Sequence, residues 1–96
     1  MVLEHAIFRV KPGQAKEFEA AWAKARALLI AAKGCKTVEM RQGIENPDSF
    51  MLLVEWETVE DHMQGFRQSP AIKEFGALLA PFFAGAPSMD HYRDPL

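Results

Sequence analysis

Apolar residues in this chain repeat with a period of two in some stretches and near 3.6 in others, and the switches between the two periods mark the elements. Val2 to Val10 is rich in Val, Ile and Phe and is stopped by Lys11-Pro12-Gly13, which predicts a strand with Ala6, Phe8 and Val10 on one face and His5, Ile7 and Arg9 on the other. From Gln14 to Lys33 the residues Ala15, Phe18, Trp22, Ala25, Leu29 and Ala32 form one helical stripe, with Gly34 as the stop. Glu17 and Glu19 lie early and Lys24, Arg26 and Lys33 late, an order that suits the helix dipole. Cys35 to Gln42 alternates Val38 and Met40 with Glu39 and Arg41, and the turn cluster Glu45-Asn46-Pro47-Asp48 joins it to Ser49–Glu57 as an antiparallel hairpin. Thr58 reads as an N-cap, with Asp61 as its partner three residues on, opening a short helix whose stripe is Val59, His62, Met63 and Phe66. Ser69-Pro70 restarts a helix with Ile72, Phe75, Leu78, Leu79 and Phe82 on its buried side, and Ser88 to Arg93 is a last strand. The order β-α-β-β-α-β predicts an α+β, ferredoxin-like antiparallel sheet with its helices on one side. The first and last strands are expected to flank the central region without being immediate neighbours.

The third strand carries a second message. An antiparallel sheet with one wet face alternates apolar with polar residues, but Phe50, Met51, Leu52, Leu53 and Val54 run without a polar break. Leaving such side chains exposed would cost roughly 1.5–3 kcal/mol each. The helices of a 96-residue chain cover one face only, so a second copy of the chain is expected on the other, making a homodimer.

Composition narrows the classes. Ninety-six residues hold one core, so residues 1–96 form a single domain. Hydrophobic residues at 49% and charged residues at 25% describe an ordinary folded domain rather than a disordered one. Eleven Lys+Arg against 13 Asp+Glu leave a net charge of −2, which argues against nucleic acid as a partner. No apolar run approaches the roughly 18–20 residues that a membrane span needs. The first ten residues carry Glu4 and no basic region, unlike a secretory signal, so the cytoplasm is the expected compartment. The single cysteine, Cys35, excludes an internal disulfide and a Cys-based zinc cluster. Between Lys33 and Lys36 it reads as a small buried strand residue rather than a nucleophile.

The β-α-β-β-α-β order, the stretch FMLLVEWETVEDH from Phe50 to His62, the Ser69-Pro70 helix restart and the closing strand together resemble the antibiotic biosynthesis monooxygenase domain of the dimeric α+β barrel superfamily. The resemblance covers nearly the whole chain. It implies two sheets packed face to face between subunits, with a pocket between each sheet and its helices. It also implies one of the family's activities, which include cofactor-independent oxidation of quinols or polyketides and haem degradation. The residues on which haem-degrading members depend fall here at Ala6 instead of Asn, Phe66 instead of Trp and Gly76 instead of His. Without that His no axial ligand for haem iron is evident, so haem degradation is not expected. Other members keep a His where this chain has Phe66.

Candidate chemistry rests on few side chains. Of the three histidines, His5, His62 and His91, a general base near neutral pH is best sought in His62, which shares a stripe with Val59, Met63 and Phe66, and next in His91. Removing the proton of a phenol or hydroquinone leaves an anion that can itself reduce O₂, so no cofactor is required. Trp22, Trp56 and Phe66 are candidates for an aromatic wall against a planar ring, or simply for core packing. Tyr92 is a candidate hydrogen-bond donor to a ligand or an interface residue, and Arg9 and Arg41 are candidates for an anionic substrate group or for surface charge. Asp61-His62 and Asp90-His91 are adjacent pairs that diverge on a helix and a strand, so no metal site is expected. The reading is a small cofactor-independent monooxygenase acting on a planar aromatic compound. The alternative is a non-catalytic dimeric barrel that binds a small ligand or serves in a stress response, motivated by the missing residues.

Overall fold

The computed structural model describes residues 1–96. Strands β1 (Val2–Arg9), β2 (Cys35–Gln42), β3 (Ser49–Trp56) and β4 (Ser88–Tyr92) form one antiparallel sheet in the order β2-β3-β1-β4. Helices α1 (Ala15–Ile30) and α2 (Pro70–Leu79) pack on one side of it. A six-residue π-helical turn, Asp61–Phe66, precedes α2, and a 3₁₀ turn, Ala80–Phe82, follows it. This is the ferredoxin-like α+β arrangement that the periodicity predicts. No helix is long and apolar enough to cross a membrane.

One topological expectation is overturned. β1 and β4 are immediate neighbours, paired with Glu4 opposite His91 and His5 opposite Asp90. The crossover through α2 returns the chain to the free edge of β1 because β3 already occupies its other edge.

Parity along β1 and β3 sets the core. Glu4, Ala6, Phe8 and Val10 point to the helices, as do Phe50, Leu52, Val54 and Trp56. Phe18 of α1 sits at the centre with its ring 4.7 Å from that of Phe50, and Ala25, Leu29, Phe66, Phe75 and Leu79 close the layer. The opposite face carries Leu3, Ile7, Met51 and Leu53, all half-buried by their neighbours along the sheet.

α1 ends at Ile30 rather than at Lys33, so no basic residue falls in its last turn. The chain instead reverses through Gly34, whose φ of 82° lies in the left-handed region. The Gly34 carbonyl accepts the Glu57 N–H (2.7 Å), tying the end of the helix to the end of β3. The Thr58 hydroxyl accepts the Asp61 N–H (3.1 Å), as the cap reading requires, while the Asp61 side chain packs directly over Gly34. Gly34→Ala therefore combines a disfavoured backbone angle with a collision against Asp61 and is expected to destabilise the fold by about 1–3 kcal/mol. Chemical denaturation checks this, and an unchanged midpoint would contradict it.

Candidate functional site

Two polar side chains lie within the core, Glu4 at 4% exposure and His62 at 2%. β1 carries Glu4 on its inward face because its parity is that of Ala6 and Phe8. Its Oε1 accepts the Trp56 Nε1–H at 3.0 Å and lies 3.4 Å from His62 Nε2. The His62 ring stacks on Trp56, with centroids 4.9 Å apart and planes 19° from parallel. On its other side, His62 Nδ1 is 2.8 Å from His91 Nε2. Glu4, His62 and His91 thus form a line of proton-carrying groups running from the core to the half-buried edge strand. They do not converge on a point as metal ligands would, since His62 turns one nitrogen to each neighbour.

A π-helical turn carries His62: the Arg67 N–H reaches back five residues to the His62 carbonyl (2.9 Å), and His62 and Phe66, four residues apart, share its buried face. The Ser69 hydroxyl donates to the Phe66 carbonyl (2.7 Å), and Pro70 opens α2 at its first position.

Burial lowers the His62 pKa from 6.5 to about 4, helped by His91 and Arg67, so the imidazole is neutral at pH 7. Burial raises the Glu4 pKa above its usual 4.5, opposed by the Trp56 hydrogen bond and the Arg67 charge. With Glu4 ionised, the single His62 proton sits on Nε2 facing the carboxylate, and Nδ1 accepts from His91. Cys35 is half-buried, and its thiol pKa is raised by burial and by Glu4, with Arg26 opposing. That is the opposite of what a nucleophilic thiolate needs.

Glu4 also lines a cavity of about 480 Å³ between the sheet and α2. The size suits a small aromatic molecule. The walls are Phe8, Leu52, Phe66, Phe75, Leu79 and Met89 among others, and Glu4 and Arg67 are their only polar side chains. Ala6, Phe66 and Gly76, the three positions compared above with haem-degrading oxygenases, all face this cavity.

Of the residues proposed from sequence, His62 and His91 are brought into contact, and Phe66 forms part of the cavity wall. The expected aromatic wall is not assembled as drawn. Trp56 is fully buried behind Glu4, and Trp22 borders a separate cleft with Glu19 and Met40, meeting Phe75 edge-on at 6.5 Å. Trp22 sits on α1 and Trp56 at the end of β3, where Glu4 and His62 take up its indole, so only Phe66, at the end of the π-helical turn, reaches the cavity. Tyr92 is exposed on the opposite sheet face, edge-on to His5 at 6.0 Å. Arg9 is exposed on that same face, and Arg41 pairs there with Glu39 at 3.3 Å. Glu4 and Arg67 escaped the sequence reading, although the parity of β1 marks Glu4 as an acid on an apolar face.

The model of the family described as antibiotic biosynthesis monooxygenase matches residues 1–78. The uncharacterised protein YczJ of Bacillus subtilis (strain 168) is 39% identical over 94 residues, 98% of this chain and 99% of that protein. A candidate antibiotic biosynthesis monooxygenase from Bordetella bronchiseptica superposes with a TM-score of 0.94 at 40% identity, over 99% of this chain and 97% of its own. A variant of SnoaB, a cofactor-independent oxygenase from Streptomyces nogalater, shares the fold with a TM-score of 0.85 at 15% identity, over 99% of this chain and 93% of its own.

The neutral burial of His62 has a consequence for stability. Between pH 6.5 and about 4 the unfolded chain takes up a proton that the folded chain refuses. The contribution is therefore complete above pH 6.5 and is lost as pH falls, by about 3 kcal/mol at the acid end. Glu4 acts in the opposite sense, because its raised pKa favours the folded state in acid and less so as pH rises above 4.5. Comparing the wild type with His62→Gln isolates the first effect: the variant should lose distinctly less stability between pH 7 and pH 4 in urea titrations. Parallel pH profiles for the two proteins would contradict it.

Proposed function

This chain belongs to the antibiotic biosynthesis monooxygenase family, and from that premise we propose that it is a cofactor-independent monooxygenase acting on a small phenolic, quinol or polyketide-like aromatic compound. The observation that carries this reading is an apolar cavity with one carboxyl in its wall, backed by His62 and His91. Such oxidation begins with loss of a ring-hydroxyl proton. The anion then gives electrons to O₂, and a bond forms between ring carbon and oxygen. Loss of water from the hydroperoxide leaves a carbonyl, so one oxygen atom enters the product and the other leaves as water. The protein needs to hold the ring flat, keep water out and move the first proton. Phe66 and Phe75, edge-to-face at 5.5 Å, serve the first task. His62 and His91 serve the last, carrying the proton towards the edge strand.

A second copy of the chain belongs to this proposal. Leu3, Ile7, Met51 and Leu53 form an apolar centre on the face without helices, rimmed by His5, Arg9 and Arg41 and by Glu39, Glu55 and Asp90. Mixed charges around an apolar centre suit a self-complementary two-fold contact. Tyr92 lies at its edge and fits an interface role rather than a ligand-binding one.

Two measurements test these readings. Oxygen uptake is expected with at least one member of a panel of quinols and phenols, and His62→Gln is expected to reduce turnover by about a hundredfold. No uptake with any member, or undiminished turnover in the variant, would sink the oxygenase assignment. In light scattering the wild type is expected at twice the chain mass and Leu53→Glu at the chain mass. A wild-type protomer that stays single at micromolar concentration rules out the dimer.

A further inference from the structure

We propose that Glu4 is the catalytic group that takes the substrate's proton, so that the cavity selects hydroxylated aromatic rings which it holds as their anions. This rests on the reading of the cavity as a site for a small phenolic compound, and it moves the first proton transfer from an imidazole to a carboxylate.

The geometry singles out one group. His62 and His91 are the histidines of the buried chain, but neither lines the cavity, whereas Glu4 does. No other carboxyl, imidazole or hydroxyl side chain reaches it. The two oxygens of Glu4 have different surroundings. Oε1 holds the Trp56 N–H and faces His62, while Oε2 has no protein partner. A carboxylate oxygen without a partner, on a residue that faces an apolar cavity, is placed to receive a proton from whatever fills it. The groups facing Glu4 are His62 from the π-helical turn, Trp56 from β3, His91 opposite it in β4, and Arg67 at the start of the link to α2.

Arg67 supplies the complementary charge. Arg67, exposed at the mouth of the same cavity, reaches the Met89 sulfur with its guanidinium at 3.9 Å and pairs with no carboxylate. When the substrate O–H breaks and the Glu4 Oε2–H bond forms, the negative charge moves from the carboxylate to the ring oxygen. The sum of charges in the cavity is unchanged, and Arg67 balances it before and after. Burial raises the proton affinity of Glu4 and so brings it closer to that of a phenol. Once Glu4 is neutral it no longer holds the His62 proton at Nε2; in the other tautomer of His62, Nε2 accepts the carboxyl proton while the Nδ1 proton passes to His91, and so the proton returns to water.

A coloured phenol tests this without any need for oxygen chemistry. 4-Nitrophenol is titrated with the wild-type protein under nitrogen, below the probe's own pKa, and the yellow phenolate band is followed. The wild type is expected to bind it as the phenolate. Glu4→Gln, which keeps an acceptor for Trp56, is expected to bind it colourless, with the band weakened about tenfold or more, the effect of one unit of proton affinity. In the wild type itself, infrared difference spectra are expected to show a carboxylic acid C=O band growing with the phenolate, which keeps the test independent of the variant's folding. An undiminished band in Glu4→Gln, or a colourless bound probe in the wild type, overturns the role of Glu4. If quinol oxidation proceeds while either of these holds, the oxygenase reading survives alone. A phenolate band that depends on Glu4, without oxygen uptake by any quinol, leaves Glu4 in place and removes the oxygenase. A probe spectrum unchanged by the wild-type protein, together with no oxygen uptake from any quinol, removes both.

Discussion

A carboxyl group buried in an apolar core costs several kcal/mol unless it is well partnered, and the placement of Glu4 is the constraint around which this domain is organised. A hydrogen bond to a charged group returns about 1.5–3 kcal/mol, and the Trp56 N–H supplies one. That bond fixes the indole of a fully buried tryptophan at the end of β3. The fixed indole is the platform on which the His62 ring stacks. The turn Asp61–Phe66 presents His62 over the indole and Phe66, one turn on, over the cavity. His91 then completes the line from β4, the strand whose pairing sets it directly opposite Glu4. One inward-facing acid thus connects β1, β3, β4 and the segment that leads into α2.

The cavity has the same origin. Small side chains at Ala6 and Gly76 leave room where larger groups would fill the space between sheet and helix, and apart from its chain neighbours and the backbone of its own helix nothing lies within 4 Å of where a Cβ on Gly76 would stand. The surrounding core is close-packed around Phe18, so the open volume is local rather than a sign of a loose interior. At Ala6, Phe66 and Gly76 the cavity wall is apolar, and its polarity lies at Glu4 and Arg67. The family likeness accounts for the fold. Glu4 and Arg67 supply the charged groups in the cavity wall.

Much of the architecture was legible because it depends on local periodicity. The inward face of β1, the Thr58 cap, the Pro70 helix start and the Gly34 stop follow from residue type and spacing alone, whereas the unbroken apolar run of β3 leaves its inward face open. The neighbourhood of β1 and β4 was misread because strand adjacency depends on which edge a crossover returns to. The exact length of α1 was missed because Ala31 and Ala32 continue the stripe while the chain is already turning towards Gly34. His62 and His91 are 29 positions apart, and no pattern in either segment announces their contact. Trp22 and Trp56 suit a cavity wall by residue type, but core packing is the commoner use of such residues, and side-chain direction decides between the two. Glu4 was visible in principle, since an acid with the parity of Ala6 and Phe8 is either a defect or a site.

The most direct test of the account is a crystal structure with a simple catechol in the cavity. The account predicts the ring between Phe66 and Leu52 with one hydroxyl within hydrogen-bonding distance of Glu4 Oε2, and the His62–His91 contact intact. A catechol bound elsewhere on the protein, or one in the cavity with its hydroxyls turned away from Glu4, would contradict it.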